Sequence, residues 1–215
     1  GTGSNSTDEA VDLSKYAEKA GSDALLVVTP YYNKPTQEGL YQHYKKINDS
    51  VGIPIVIYNI PSRSVIDMSV DTMSKLYELK NIIGVKDATG DLNRVSQQLK
   101  SMGKEFVQLT GNDDNALEFN KRGGVGAIGV TANVAAKLTS EFQNACINDM
   151  NKAKELDKLL QPLHTSLFIE SNPSPVKFAA SRLGMCSPEV RLPLVQIKEE
   201  TKKKVSEALK VAKLL

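Results

Sequence analysis

Asn81-Ile82-Ile83-Gly84-Val85-Lys86-Asp87-Ala88-Thr89-Gly90-Asp91 is the segment around which the rest of the sequence is arranged. It reads as a short buried strand that ends in a lysine, with a loop of Gly and Asp following at once. An amine at the end of an apolar strand sits where desolvation disfavours its charged form. A neutral amine can attack a ketone and form a Schiff base. Lys86 is therefore the candidate centre of the chemistry, although a lysine at a strand end is most often a snorkelling surface residue.

The same pattern recurs on both sides. Apolar runs at 23–29, 53–59, 105–110 and 126–131 read as further strands, buried on both faces as in a parallel sheet. Helical segments separate them. Ser6 to Glu9 fits a capping box ahead of the first helix, which Gly21 closes. Thr36 starts the second helix and Ser69 caps a later one. Beyond residue 134 the pattern is helical, interrupted by Pro162, Pro173, Pro188 and Pro193. Alternating strands and helices predict a βα-repeat α/β architecture. Tyr31, Tyr32, Tyr58, Arg63, Lys86 and Asp113 all fall just after strands. In a (β/α)8 barrel those loops share one face, where the active site lies.

Composition narrows the function class. The 215 residues are 40% hydrophobic and 24% charged, a globular profile. A net charge of +2 argues for neither nucleic acid nor an anionic membrane. No apolar run reaches the roughly 18 residues of a spanning helix, and the N-terminal residues lack signal-peptide character. Cys146 and Cys186 read as reduced thiols of a cytoplasmic protein. His43 and His164 belong to no metal motif. Asp87, Asp91, Asp113 and Asp114 could suggest Mg²⁺, but solvated loop acids and helix caps are the expected reading, so no metal is predicted. The glycines at 124, 126 and 129 spell a dinucleotide pattern in the wrong context, before a strand, and read as close backbone packing. The lysine run 202–204 reads as a solvated helix face.

Five motifs, in order, are similar to those of one family. They are Val28-Thr29-Pro30-Tyr31-Tyr32-Asn33-Lys34-Pro35, Tyr58-Asn59-Ile60-Pro61-Ser62-Arg63, Gly84 through Asp91, Gly111-Asn112-Asp113-Asp114 and Ser171-Asn172-Pro173-Ser174-Pro175-Val176-Lys177. The chain resembles the dihydrodipicolinate synthase family, of the pyruvate-dependent class I aldolase group that also holds N-acetylneuraminate lyase. Arg63 favours the synthase side of that group. The resemblance implies condensation of pyruvate with aspartate semialdehyde for lysine and diaminopimelate biosynthesis. It makes Lys86 the imine-forming lysine, Tyr58 the proton shuttle and Tyr32 a tyrosine that reaches a neighbouring subunit's site. It makes Arg63 the clamp for the second substrate's carboxylate. Gly111 and Ile128 match the lining of the pyruvate pocket. Asn5, Glu9 and Tyr31 match part of a lysine-feedback site. No cofactor is implied beyond the covalent imine, and the expected assembly is a homo-oligomer, dimer or tetramer.

The residues also permit blander readings. Tyr31 and Tyr32 could be packing beside proline, and Arg63 could be a structural ion pair. The sequence departs from the family as well. The first two strand–helix units and most of the third strand are absent, and Gly1-Thr2-Gly3 reads as the tail of that strand. Arg63-Ser64-Val65 stands where relatives carry Arg-Thr-Gly. The expectation is thus an incomplete (β/α)8 TIM barrel over residues 1–134. A last barrel helix and a C-terminal helical extension would occupy 135–215. Sheet edges near 23–29 and 126–131 would be covered by association. The alternative function is a shortened relative that folds, oligomerises and binds pyruvate without efficient turnover.

Overall fold

The computed structural model describes residues 1–215. The chain forms two compact units, Gly1–Asn112 with Glu118–Ile128, and Asp113–Leu117 with Gly129–Leu215.

The first unit is a parallel sheet with helices between its strands, an α/β fold as expected. In order come α1 (Thr7–Lys19), β1 (Leu25–Val28), α2 (Gln37–Asn48), β2 (Ile55–Asn59), α3 (Pro61–Ser64), α4 (Val70–Tyr77), β3 (Ile82–Asp87), α5 (Asn93–Met102), β4 (Val107–Thr110), α6 (Ala116–Lys121) and β5 (Gly126–Ala127). The strands pair in sequence order, β1-β2-β3-β4-β5, all parallel. Helix starts follow the chemistry of the chain. The hydroxyls of Thr36 and Ser69 accept from the amides of Gly39 and Thr72, satisfying donors that the helix leaves open. The expected Ser6/Glu9 capping box does not form. Glu9 instead accepts from the Ser4 hydroxyl at 2.7 Å, and Ser6 makes no side-chain cap.

Leu25, Val27, Ile55, Ile57 and Val85 are buried in the core, with Leu40, Tyr44 and Ile47 of α2 and Met73 and Leu76 of α4. Each fully buried aliphatic side chain contributes about 1.5–3 kcal/mol. The start of β3 is pinned by polar bonds as well. Asn81 Nδ2 donates to the carbonyls of Val51 (2.8 Å) and Asn48 (3.1 Å). The outer edge of β1 is met by the N-terminal residues, where the Thr2 amide donates to the Leu26 carbonyl at 3.0 Å.

Two local expectations need correction. Residues 60–64 are not an open loop: Pro61 opens the short helix α3, because its fixed φ suits a first helical position. The fifth strand spans two residues, not six, since Thr131–Asn133 turns into a 3₁₀ helix.

The second unit is helical, with α7 (Ala136–Asn148), α8 (Met150–Ser166), α9 (Ser174–Arg182) and α10 (Glu199–Val211). Asp149 caps α8, its carboxylate accepting from the amides of Asn151 and Lys152. Pro162 lies inside α8 without ending it. No helix of the chain is long and apolar enough to cross a membrane.

Candidate active site

β2 and β3 run side by side, with Ile55 opposite Ile82 and then Val56 opposite Gly84. The extra residue on β3, Ile83, shifts the pairing by one. A one-residue slip exchanges the faces of every side chain beyond it. The shift therefore sets Lys86 opposite Tyr58 and Asp87 opposite Asn59. Lys86 is 9% exposed, and its Nζ stands 4.0 Å from the centroid of the Tyr58 ring. The amine is buried against an aromatic face, within the reach of cation–π attraction. That excludes the snorkelling surface lysine.

Tyr58 also lines a cavity of about 460 Å³, with Tyr31, Ile60, Arg63, Ser64 and Val28 among its walls. Burial raises the pKa of the Tyr58 phenol, and the Arg63 charge beside it pulls partly the other way. The phenol therefore carries its proton at neutral pH. Arg63 brings a cation to this cavity, held on α3 directly after β2. α3 ends at Val65 in a left-handed conformation, φ 65°, with the side chain 62% exposed. Ser64 is buried and donates to the carbonyls of Ile60 and Ile66, while Thr29 donates to its hydroxyl. The departure at Ser64-Val65 is thus accommodated by a bonded serine and a strained valine.

Gly111 follows β4 and its amide donates to the Asp87 carbonyl at 2.8 Å. A Cβ there would lie 2.7 Å from the Ala88 Cβ and 3.0 Å from the Lys86 Cε, so a side chain would press on the lysine stem. Ile128, half exposed, follows β5, its amide donating to the Thr110 carbonyl. Gly124 packs where a Cβ would meet the Phe119 ring at 2.1 Å, the close packing expected of that glycine run.

Other predicted residues lie apart. Tyr32 is 86% exposed at φ 74° and does not line the cavity. Tyr31 does line it. Asn5 and Glu9 do not; the Asn5 carbonyl accepts from Asn33, and Glu9 is tied to Ser4.

The acids are not all solvated, contrary to expectation. Asp91, just ahead of α5, accepts from the Asn93 amide at 2.9 Å. Asp87 and Asp113 are buried. Asp113 accepts from the amides of Val130 and Thr131. Asp87 accepts from Thr89 at one oxygen and from Arg94 (2.8 Å) and Gln98 (3.1 Å) at the other. No group of three or more His, Cys, Asp and Glu converges on a metal position. Sequence reasoning missed Arg94, which stands seven residues after Asp87 in the first turn of α5. It also missed Tyr44, whose buried hydroxyl donates to the Val27 carbonyl at 2.7 Å beside the Tyr58 amide.

A buried amine over a phenol, with a guanidinium at the same strand ends, defines an α/β protein whose site lies at the carboxyl edge of a parallel sheet, in the manner of TIM-barrel proteins. The chain belongs to the dihydrodipicolinate synthetase family, whose sequence model matches residues 1–212. It is 70% identical to 4-hydroxy-tetrahydrodipicolinate synthase of Pelagibacter ubique, over the whole chain and 75% of that protein. The dihydrodipicolinate synthase of Aquifex aeolicus superposes with a TM-score of 0.97 at 45% identity, covering 100% of this chain and 74% of that one. The chloride-inhibited dihydrodipicolinate synthase of Acinetobacter baumannii, solved with pyruvate, gives the same TM-score, identity and coverage.

Proposed function

We propose that this chain is a lyase of the aldolase type, condensing pyruvate with aspartate semialdehyde through an imine on Lys86. The observation that carries the reading is the Lys86 amine buried 4.0 Å from the Tyr58 ring centroid, with Arg63 and Tyr58 sharing one cavity. The 70% identity to a 4-hydroxy-tetrahydrodipicolinate synthase supports the same reaction, as does the pyruvate complex of the Acinetobacter baumannii relative. These relatives do not favour the alternative of a non-catalytic form.

The Lys86 amine adds to the ketone carbon of pyruvate, water leaves, and an iminium forms. Loss of a methyl proton gives an enamine, with the electron pair delocalised toward nitrogen. The enamine carbon attacks the aldehyde carbon of aspartate semialdehyde, and the aldehyde oxygen takes up a proton. Tyr58, protonated at neutral pH, supplies and recovers protons in these steps. Arg63 holds the second substrate's carboxylate by charge-assisted hydrogen bonds. Gly111 leaves room for the lysine stem, and Ile128 lines the pyruvate end. The imine route calls for no metal or cofactor.

Tyr32, exposed at an unfavourable φ, is positioned to enter a second subunit's site. Asn5, Glu9 and Tyr31 form part of a lysine-binding site. Residues 1–134 constitute the strand-bearing portion of a (β/α) barrel fold, and 135–215 the last barrel helix with a C-terminal extension. The chain associates as a homo-oligomer, dimer or tetramer, in the cytoplasm. Sedimentation at micromolar concentration showing only monomer would count against that assembly.

Borohydride reduction with pyruvate, followed by peptide mass spectrometry, tests the chemistry. The reduced adduct is expected on Lys86 and absent from Lys86→Ala. An adduct in both proteins, or in neither, would remove the assignment.

A further inference from the structure

Tyr58 and Lys86 are paired across β2 and β3, and so are the residues that follow them, Asn59 and Asp87. Side chains alternate along strands. Asn59 and Asp87 therefore turn to the face opposite the amine and the phenol, and there they are joined by a continuous polar chain. The Asn59 amide nitrogen donates to Asp67 Oδ1 at 2.7 Å, and its oxygen accepts from the Met68 amide at 3.1 Å. Arg94 on α5 spans the remaining distance. Its Nη1 lies 3.5 Å from Asp67 Oδ2, its Nη2 donates to the Met68 carbonyl at 2.8 Å, and its Nε donates to Asp87 Oδ2 at 2.8 Å. Asn59, Asp87 and Arg94 are all buried.

We infer that Arg94, with Asp67, is a positioning residue: the chain Asn59–Asp67–Arg94–Asp87 sets the separation of the Lys86 amine and the Tyr58 phenol from behind the sheet. This rests on the reading of Lys86 as the imine-forming amine. Three observations carry it. The chain touches both strands at the paired positions directly after the two working residues. Its bonds to Arg94 are directional and charge-assisted, and a guanidinium fork reaching Asp67, Met68 and Asp87 together has no lysine equivalent. Asp87 is saturated with donors on both oxygens, so its orientation, and with it the backbone bearing Lys86, is held on every side. An ion pair serving stability alone needs no link to Asn59, and apolar packing of the same volume often serves as well.

The test uses Asp67→Ala, Asp67→Asn and Arg94→Lys in the full chain. Asp67 has a half-exposed side chain and Arg94 retains Asp87 without it, so the Asp67 variants keep the fold, checked by circular dichroism and urea melting. Acetic anhydride labelling without pyruvate, read by peptide mass spectrometry, reports Lys86 reactivity against the exposed Lys137. Small displacements of reacting groups cost large factors in rate. The expected result for Asp67→Ala and Arg94→Lys is a change of roughly threefold or more in Lys86 labelling, with Lys137 unchanged. The condensation kcat should fall about tenfold or more with little change in the pyruvate KM. Asp67→Asn can accept from Asn59 with its single amide oxygen but then turns an NH2 donor toward Arg94 Nη1, so it breaks the chain and should shift both readouts in the same direction as Asp67→Ala. Lys86 labelling identical to wild type in folded Asp67→Ala overturns the inference, whether or not Arg94→Lys folds. A wild-type protein that gives no pyruvate adduct refutes the enzymatic reading separately, because the labelling comparison involves no substrate.

Discussion

His43 makes this fold sensitive to acid. It lies on α2, buried, with Nδ1 2.9 Å from the Thr7 hydroxyl, its ring edge-on to Tyr44, and Nε2 enclosed without a partner. Burial lowers its pKa from 6.5 to about 4. The native state thus keeps the imidazole neutral while the unfolded chain takes up a proton below 6.5. Stability from this group is fully present above that value and is lost as pH falls toward about 4, where the native ring also protonates. At 1.36 kcal/mol per pKa unit the whole loss is on the order of 3 kcal/mol, about 2 of it by pH 5. His43→Leu removes the titration and forfeits the Thr7 hydrogen bond, worth about 1 kcal/mol at any pH. Urea unfolding of both proteins from pH 8 to 4.5, at one protein concentration, should show wild type the more stable at pH 8. The order should reverse below about pH 6. A wild-type-minus-variant difference that stays constant across this range would refute the reasoning.

Three further outcomes follow from the site. Val65→Gly should raise stability by about 1 kcal/mol in thermal or urea unfolding, because a β-branched residue at φ 65° with an exposed side chain gains little and is strained. Gly111→Ala should cost about 1–3 kcal/mol and slow borohydride trapping at Lys86, since the new methyl meets Ala88 and the Lys86 stem; unchanged trapping would show that the contact is immaterial. Tyr58→Phe keeps the ring beneath the amine but not its proton. Its condensation rate should drop by about 10²–10⁴-fold in a coupled assay, with stability little changed.

The sheet was legible in the sequence because its strands are continuous apolar runs and its helices begin at polar caps that do bond, Thr36 and Ser69. Lys86, Tyr58 and Arg63 were legible as a group because each directly follows, or ends, such a run. What failed was whatever depends on a competing partner. Glu9 matched a capping box by spacing, yet Ser4 lies nearer to its carboxylate in the folded chain. Asp87 read as a loop acid because a charge beside a glycine-containing loop ordinarily points to water; its partner Arg94 arrives only when α5 packs on β3. The slip at Ile83, which decides the face that Lys86 occupies, leaves no mark in composition, since one extra isoleucine looks like more strand. β5 was overestimated for the same reason: Ile128 to Thr131 is apolar enough to pass for a strand while its backbone turns away.

The strands stand in the sheet in the order in which they occur in the chain. Each new pairing therefore closes a loop of only one intervening connection and never has to search across the whole polypeptide, so its entropic cost stays that of a single repeat. During synthesis, which adds about 5–20 residues per second, the phenol's strand leaves the ribosome before the lysine's, and the glycine that makes room for the lysine stem leaves after both. The residues of the candidate site are thus laid down as a queue, each on a strand whose sheet neighbour has already emerged.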